Sequence, residues 1–263
     1  GTDWTNNTSW MSAPLDDWYG LIRSGQTITT LQLADNNLSG TVPEQLTDIL
    51  GLEVVNFSGN NLTSIPDFTV NTEITTLDVS RNKLTFASLE PNESVAGFVY
   101  AEQAALGQPL DSLIEVGSPY TFVIGAGGQH SEYVWKRNDV AIEDASPSDT
   151  LELEAVTRSN MGEYTVEVTN ELLPGLTLRS EILKVQAYAS LSGKIFIDDS
   201  LVANEGNITL YKVQPGAFKS VDTVQIGDDG SFLLPKVILD DYQLLAFLDT
   251  LTHENALPTY FKN

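Results

Sequence analysis

The fold turns on residues 28–38, "ITTLQLADNNL", because the pattern returns at 52–62 as "LEVVNFSGNNL" and at 74–84 as "ITTLDVSRNKL". Each block reads apolar, x, x, apolar, x, apolar, x, x, Asn, x, Leu, and the starts lie 24 and then 22 residues apart. A fourth, degenerate copy, "VAGFVYAEQAA" from Val95, follows 21 residues later, with Gln103 where Asn is expected. A period of this length marks stacked units, each too small to bury its own apolar face. Leu31/Leu33, Val55/Phe57, Leu77/Val79 and Phe98/Tyr100 are apolar pairs one residue apart, so each pair points to one face of a short strand. The chain must then turn sharply. Asn36, Asn60 and Asn82, with Gln103 in the last copy, are predicted to bond backbone groups that so tight a coil would leave buried and unpaired. Leu38, Leu62 and Leu84 then re-enter the core.

These blocks resemble the leucine-rich repeat family, and "LSGTVPEQLTDILGLEVV" (38–55) resembles its plant-type subclass. That resemblance implies a convex-side helix or 3-10 turn, with Pro43 at its start, Leu46, Ile49 and Leu50 facing inward, and Gly51 at its exit. Upstream, "WMSAPLDDWYGLI" is similar to the subclass's N-terminal cap, with Trp10 and Trp18 covering the open end of the first coil. The cap's usual cysteines are absent, so packing alone must hold it. The resemblance covers residues 1–105.

From Leu106 the pattern changes to alternating strands. "SPYTFVIGAGG" places Tyr120, Phe122 and Ile124 on one face; Trp135 follows in "SEYVWKRND", and "TLELEAVTRSNMGEYTVEVTN" brings Leu151, Leu153, Val156, Gly162 and Tyr164. Residues 106–187 resemble the immunoglobulin superfamily, with Trp135 as the strand-C Trp and Tyr164 as the tyrosine corner. The resemblance puts Ile124 and Val166 at the two disulfide positions, where an apolar contact replaces the bridge. The glycines of "IGAGGQH" (124–130) precede another strand, not a helix N-terminus, so they read as a loop of the sandwich and not as a nucleotide cradle. Residues 188–263 carry further strand patterns, Gly193, a Tyr242-led strand, and an Asp228-Asp229-Gly230 turn expected to close a hairpin. They resemble the transthyretin-like or carboxypeptidase-regulatory-like sandwich. The expected fold is therefore mainly β and multidomain: a short leucine-rich-repeat solenoid followed by two β-sandwich domains, the last reading as truncated. The linker 102–112 is short and not Gly/Ser-rich, so the second domain is predicted to dock on the last coil.

Acidic residues number 36 against 13 basic, a formal charge of -23. Divided at 105 and 187, the three segments carry 13 and 3, 13 and 5, and 10 and 5, so the excess pervades the chain. Such a surface repels nucleic acid and anionic lipid. No apolar run approaches the ~20 residues that span a bilayer, so no membrane insertion is expected. With no cysteine, disulfides, zinc–thiolate sites and thiol nucleophiles are excluded. The two histidines, His130 and His253, fall in different predicted domains. No Gly-x-Ser-x-Gly or His-Glu-x-x-His occurs, and the acidic doublets read as solvated turns, not calcium loops. No cofactor, metal or catalytic residue is assigned, and the chain is not expected to be an enzyme.

The natural binding surface of a repeat array is its concave strand face. Its candidate ligand residues are Gln32, Asp35, Asn56, Asp78, Arg81 and Glu102. The face is polar, lacks aromatic residues and has one arginine, a poor composition for a tight protein interface. The expected function is a non-enzymatic module for protein–protein interaction or adhesion, binding an unidentified protein or glycan ligand as a monomer. The alternative is an architectural spacer in a larger secreted protein whose active domain lies outside this chain. Gly1 reads as an added residue, and the chain as part of a longer protein, secreted or on the cell surface, with its leader removed. Asn-x-Ser/Thr occurs at Asn6, Asn7, Asn37, Asn56, Asn61, Asn92 and Asn207, which matters only if the source glycosylates exported proteins. The repeat-plus-sandwich combination without cysteine resembles secreted or surface proteins of bacteria.

Overall fold

The computed structural model describes residues 5, 6, 14, 17–145, 147–197, 205–248 and 259–262; Trp10 of the expected cap lies outside them. The protein is mainly β, with several separate sheets. By its contacts the chain divides into two compact units. One comprises 1–110, 121–152 and 163–183; the other comprises 111–120, 153–162 and 184–263.

In the first unit, the repeats lay down strands Thr27–Gln32, Val54–Asn56, Thr76–Asp78 and Phe98–Val99, side by side and parallel. Their register follows the sequence period: Leu31 faces Val55, Val55 faces Leu77, and Leu77 faces Phe98. Leu31, Leu33, Val55, Phe57, Leu77 and Val79 are buried, as are Leu38, Leu62 and Leu84 after the turns. An antiparallel strand, Leu21–Ser24, covers the open edge of the first repeat strand. Strands Ser39–Thr41 and Asn61–Ser64 add a second, two-stranded parallel sheet.

Between the repeat strands the chain forms 3-10 turns at Glu44–Asp48, Phe68–Val70 and Glu90–Asn92, and the one-turn helix Phe86–Leu89. Leu50 does not face inward as expected. Leu50 is 84% exposed, whereas Leu52 is fully buried. The 3-10 turn stops at Asp48, and Gly51, at φ 81°, swings the chain so that Leu52 enters the core instead. Leu46 and Ile49 are half-buried.

The same unit holds an antiparallel set of strands, Ser131–Arg137, Gly162–Asn170 and Thr177–Arg179, with Trp135 opposite Val166 and Val168 opposite Leu178. Alternation sends Trp135, Tyr164, Val166, Val168 and Leu178 inward, and all are buried. Phe122 packs at 6.1 Å from the Trp135 ring and 5.2 Å from the Tyr164 ring. The buried indole N–H donates to the Ser148 carbonyl at 3.0 Å, so the large ring brings no unpaired donor into the core. Ile124 and Val166 are both buried.

In the second unit, the twelve-residue strand Leu183–Lys194 pairs with Ser231–Ile238. The expected boundary at 187/188 falls inside this strand. A four-stranded antiparallel sheet runs in the order Ala217–Gln225, Gly206–Gln214, Tyr242–Leu248, Thr259–Lys262. Ile195, Ile208, Ile226, Phe232 and Ala246 form the core of this region. The turn at Asp228-Asp229-Gly230 does not close a hairpin. It carries the chain from Ala217–Gln225 in one sheet to Ser231–Ile238 in another. The Asp229 carboxylate accepts from the Ser231 N–H and pairs with Lys194, so the turn is held by its own side chain and needs no strand pairing.

Candidate ligand surface and the Glu90 clasp

The repeat strands bring three of the candidate residues, Gln32, Asn56 and Asp78, onto one sheet face because odd and even positions alternate between core and solvent, whereas Asp35, Arg81 and Glu102 follow the strand ends. Gln32, Asn56, Asp78 and Val99 are in direct register across four strands. Much of this row is occupied by its own neighbours. The Asn56 side-chain oxygen accepts from the Ser58 N–H and hydroxyl at 2.9 and 2.7 Å. Asp78 accepts the equivalent pair from Ser80 at 3.0 and 2.7 Å. Arg81 reaches Asp35, two coils away, at 3.3 Å. This bridge crosses Gly59, where any Cβ would overlap the Asp35 carboxylate. Asp35, Arg81 and Glu102 all have positive φ, which turns them out of the strand line. Gln32 and Glu102 are exposed.

Behind this face runs the amide column. Asn60 is buried; its Nδ2 donates to the carbonyls of Leu33 and Phe57, both at 2.8 Å, and its oxygen accepts from the N–H of Asn36 and Leu38. Asn82 repeats the pattern one coil on, donating to Phe57 and Val79 and accepting from Leu62. Gln103 does the same with its longer side chain, accepting from Leu84 and donating to Val79 and Tyr100. Asn36 donates to the Asn6 carbonyl at 2.9 Å.

Away from this column another amide, Asn92, is fully buried at the end of the 3-10 turn Glu90–Asn92. It accepts from the Phe68 N–H and donates to the carbonyls of Pro66 and Ser88. Sequence reasoning named Asn92 only as a glycosylation acceptor, a role its burial rules out in the folded chain.

The glycine loop at 124–130 has an occupant. The Glu90 carboxylate accepts from the backbone N–H of Gln129 and His130 at 3.1 and 3.3 Å. It also meets His130 Nδ1 at 2.8 Å and Asn170 Nδ2 at 2.7 Å. Its side chain is 11% exposed. Burial is the largest single influence and pushes the carboxyl up. The bonds from His130, Asn170 and the two backbone N–H groups together outweigh it, so the group sits below the usual carboxylate range. Gly127 and Gly128, both at positive φ, pass so close to Phe86, Ala87 and Glu90 that a Cβ at either would clash. Thus the loop does cradle an anion, and the anion is the protein's own. The predicted docking on the last coil is present in this unit. Tyr100 donates to the Pro174 carbonyl at 3.1 Å, and Leu106 exchanges backbone bonds with Arg179 and Glu181 at 2.7 and 2.9 Å. Sequence reasoning missed Glu90. Its only signal was the glycine pair, which says that something approaches closely but not what.

Among the described residues, no group of three or more His, Asp or Glu is placed to hold a metal ion, and no helix is long and apolar enough to cross a membrane.

Against known proteins, the Leucine Rich Repeat family profile matches residues 27–49. No curated protein matches the sequence. Solved structures that resemble it include Sidekick-1 immunoglobulin domains 1–5, at 13% identity and a TM-score of 0.30, covering 60% of this chain and 35% of that one. The N-terminal eight Ig domains of Down Syndrome Cell Adhesion Molecule match at 17% identity and 0.31, covering 64% and 28%. The insect immune protein hemolin matches at 14% and 0.27, covering 60% and 48%. The chain thus spans less than half the length of each of these three, and likeness at this level carries no argument about its activity. What the sequence match identifies is one leucine-rich repeat, in the strand and turn that Asn36 and Leu38 close.

Proposed function

We propose that this chain is a non-enzymatic extracellular or cell-surface module for protein–protein interaction or adhesion, with the concave repeat face as its ligand surface. The observation that supports this reading is the in-register row of exposed and half-exposed side chains, Gln32, Asn56, Asp78 and Val99, on a sheet backed by a column of buried amides. A rigid, pre-formed row lowers the ordering cost of binding. Gln32, Asp35, Asn56, Asp78, Arg81 and Glu102 are the proposed contacts, and a protein or glycan the proposed partner, met by a monomer. We further read residues 106–187 as immunoglobulin-like and 188–263 as transthyretin-like, and the parent protein as a secreted or surface protein of a bacterium.

One observation favours a second reading, the architectural spacer. Asn56, Asp78, Asp35 and Arg81 already satisfy one another or adjacent serines, which leaves little unmet hydrogen-bonding demand for a ligand. The experiment is a binding screen of the purified chain against surface proteins and glycans, repeated with Asp78→Ala and Arg81→Ala. Loss of a detected interaction in either variant supports the concave face. Interactions unchanged in both variants favour the spacer.

A further inference from the structure

Strands Gly206–Gln214 and Ala217–Gln225 set Lys212 directly opposite Lys219, and Lys212 is also opposite Tyr242 on the neighbouring strand. Directly opposed side chains lie about 5 Å apart at Cβ, and like charges there are destabilising. Asp240 neutralises Lys212 at 2.5 Å and holds its ammonium above the ordinary range. The next acid, Asp241, is taken by Arg158 at 3.1 Å. Among the described residues no carboxylate pairs with Lys219. One cation of an opposed pair is therefore left unmatched, in a chain with a formal charge of -23.

Lys219 also lines a cavity of about 420 Å³ together with Gln186, Gln214, Ser220, Tyr242 and the Lys212–Asp240 ion pair, whose carboxylate is already neutralised. Small-molecule sites have volumes of about 300–1,000 Å³ and a few convergent polar groups. Two amides and two hydroxyls suit a ligand with several hydroxyl groups, and the unmatched ammonium suits a carboxylate. We propose that this cavity binds an acidic sugar, its carboxylate on Lys219 and its ring hydroxyls on Gln186, Gln214, Ser220 and Tyr242. The site lies wholly in the second unit and is independent of the concave repeat face.

The test is a titration of the full chain with sodium glucuronate, glucose and sodium acetate, following the backbone amide resonances of Gln186, Lys212, Ser220 and Tyr242. Saturable shifts are expected with glucuronate, and clearly weaker ones with glucose or acetate. Lys219→Met, at an exposed strand position, should weaken glucuronate binding by about tenfold, the scale of one charge-assisted contact. Gln214→Ala should weaken it less, and Lys83→Met, in the repeats, should not change it. Three results would overturn the proposal: no saturable shift at these amides, acetate or glucose binding as well as glucuronate, or glucuronate binding unchanged in Lys219→Met.

Discussion

At the scale of single residues, the protein depends on side-chain amides and one carboxylate that do the work of backbone. Asn60 serves two donors and three acceptors from two successive coils. Removing it strands several buried polar groups at once, at about 1–3 kcal/mol each when unsatisfied. Asn60→Ala should therefore lower unfolding stability by about 3 kcal/mol or more in urea titration. Asn61→Ala, whose amide meets only Asn37 at an exposed position, should cost under about 0.5 kcal/mol. Glu90 makes a pH prediction. Because its folded pKa is depressed, its contribution is complete above the ordinary Glu value of about 4.3 and is lost as pH falls through the folded value. The stability difference between wild type and Glu90→Gln should be flat at neutral pH and shrink on acidification below that range. A difference that instead grew toward low pH would contradict the clasp. The asparagine column was legible because it repeats; Glu90 and Asn92 occur once each, so no period announces them.

At the scale of elements, register decided most of what the sequence revealed. A strand with apolar residues at alternating positions has only one way to face the core, so Leu31/Leu33, Val55/Phe57 and Leu77/Val79 were readable directly. Irregular turns lack that constraint. Leu50 and Leu52 flank the same glycine, and hydrophobicity alone does not say which of them faces inward. Leu52→Ala should cost about 2–5 kcal/mol, as for other buried leucines, whereas Leu50→Ser should be nearly neutral. Equal losses in chemical denaturation would mean that the turn is built differently. The hairpin expected at Asp228-Asp229-Gly230 failed for a related reason. An Asp-Gly turn specifies a reversal of the chain, but not whether the next strand rejoins the same sheet. At Gly127, a side chain would collide with Ala87. Gly127→Ala should raise amide exchange through 126–131 and 86–90 together, while leaving the protection of Val55 and Leu77 unchanged.

At the scale of the whole molecule, charge is the dominant fact. The ion pairs seen are mostly exposed single contacts, each worth little, and they leave the formal charge of -23 uncompensated. Self-repulsion of this kind weakens the compact state and is screened by salt. The urea midpoint should rise as sodium chloride increases from low to physiological concentration; a fall would mean that the ion pairs outweigh the repulsion. Composition made the charge legible, and repetition made the coils legible. The union of the last coil with the 124–130 loop was legible only as a short linker, because Glu90 meets partners 39, 40 and 80 residues away. The most direct test of the account is residue-resolved amide exchange at Asn36, Leu38, Leu62 and Leu84, whose N–H groups donate to the side-chain amides of the next coil. They are predicted to exchange only through global unfolding, together with the strand amides of Val55 and Leu77. Exchange at the rate of exposed surface turns would contradict the stitched stack on which the proposed ligand surface depends.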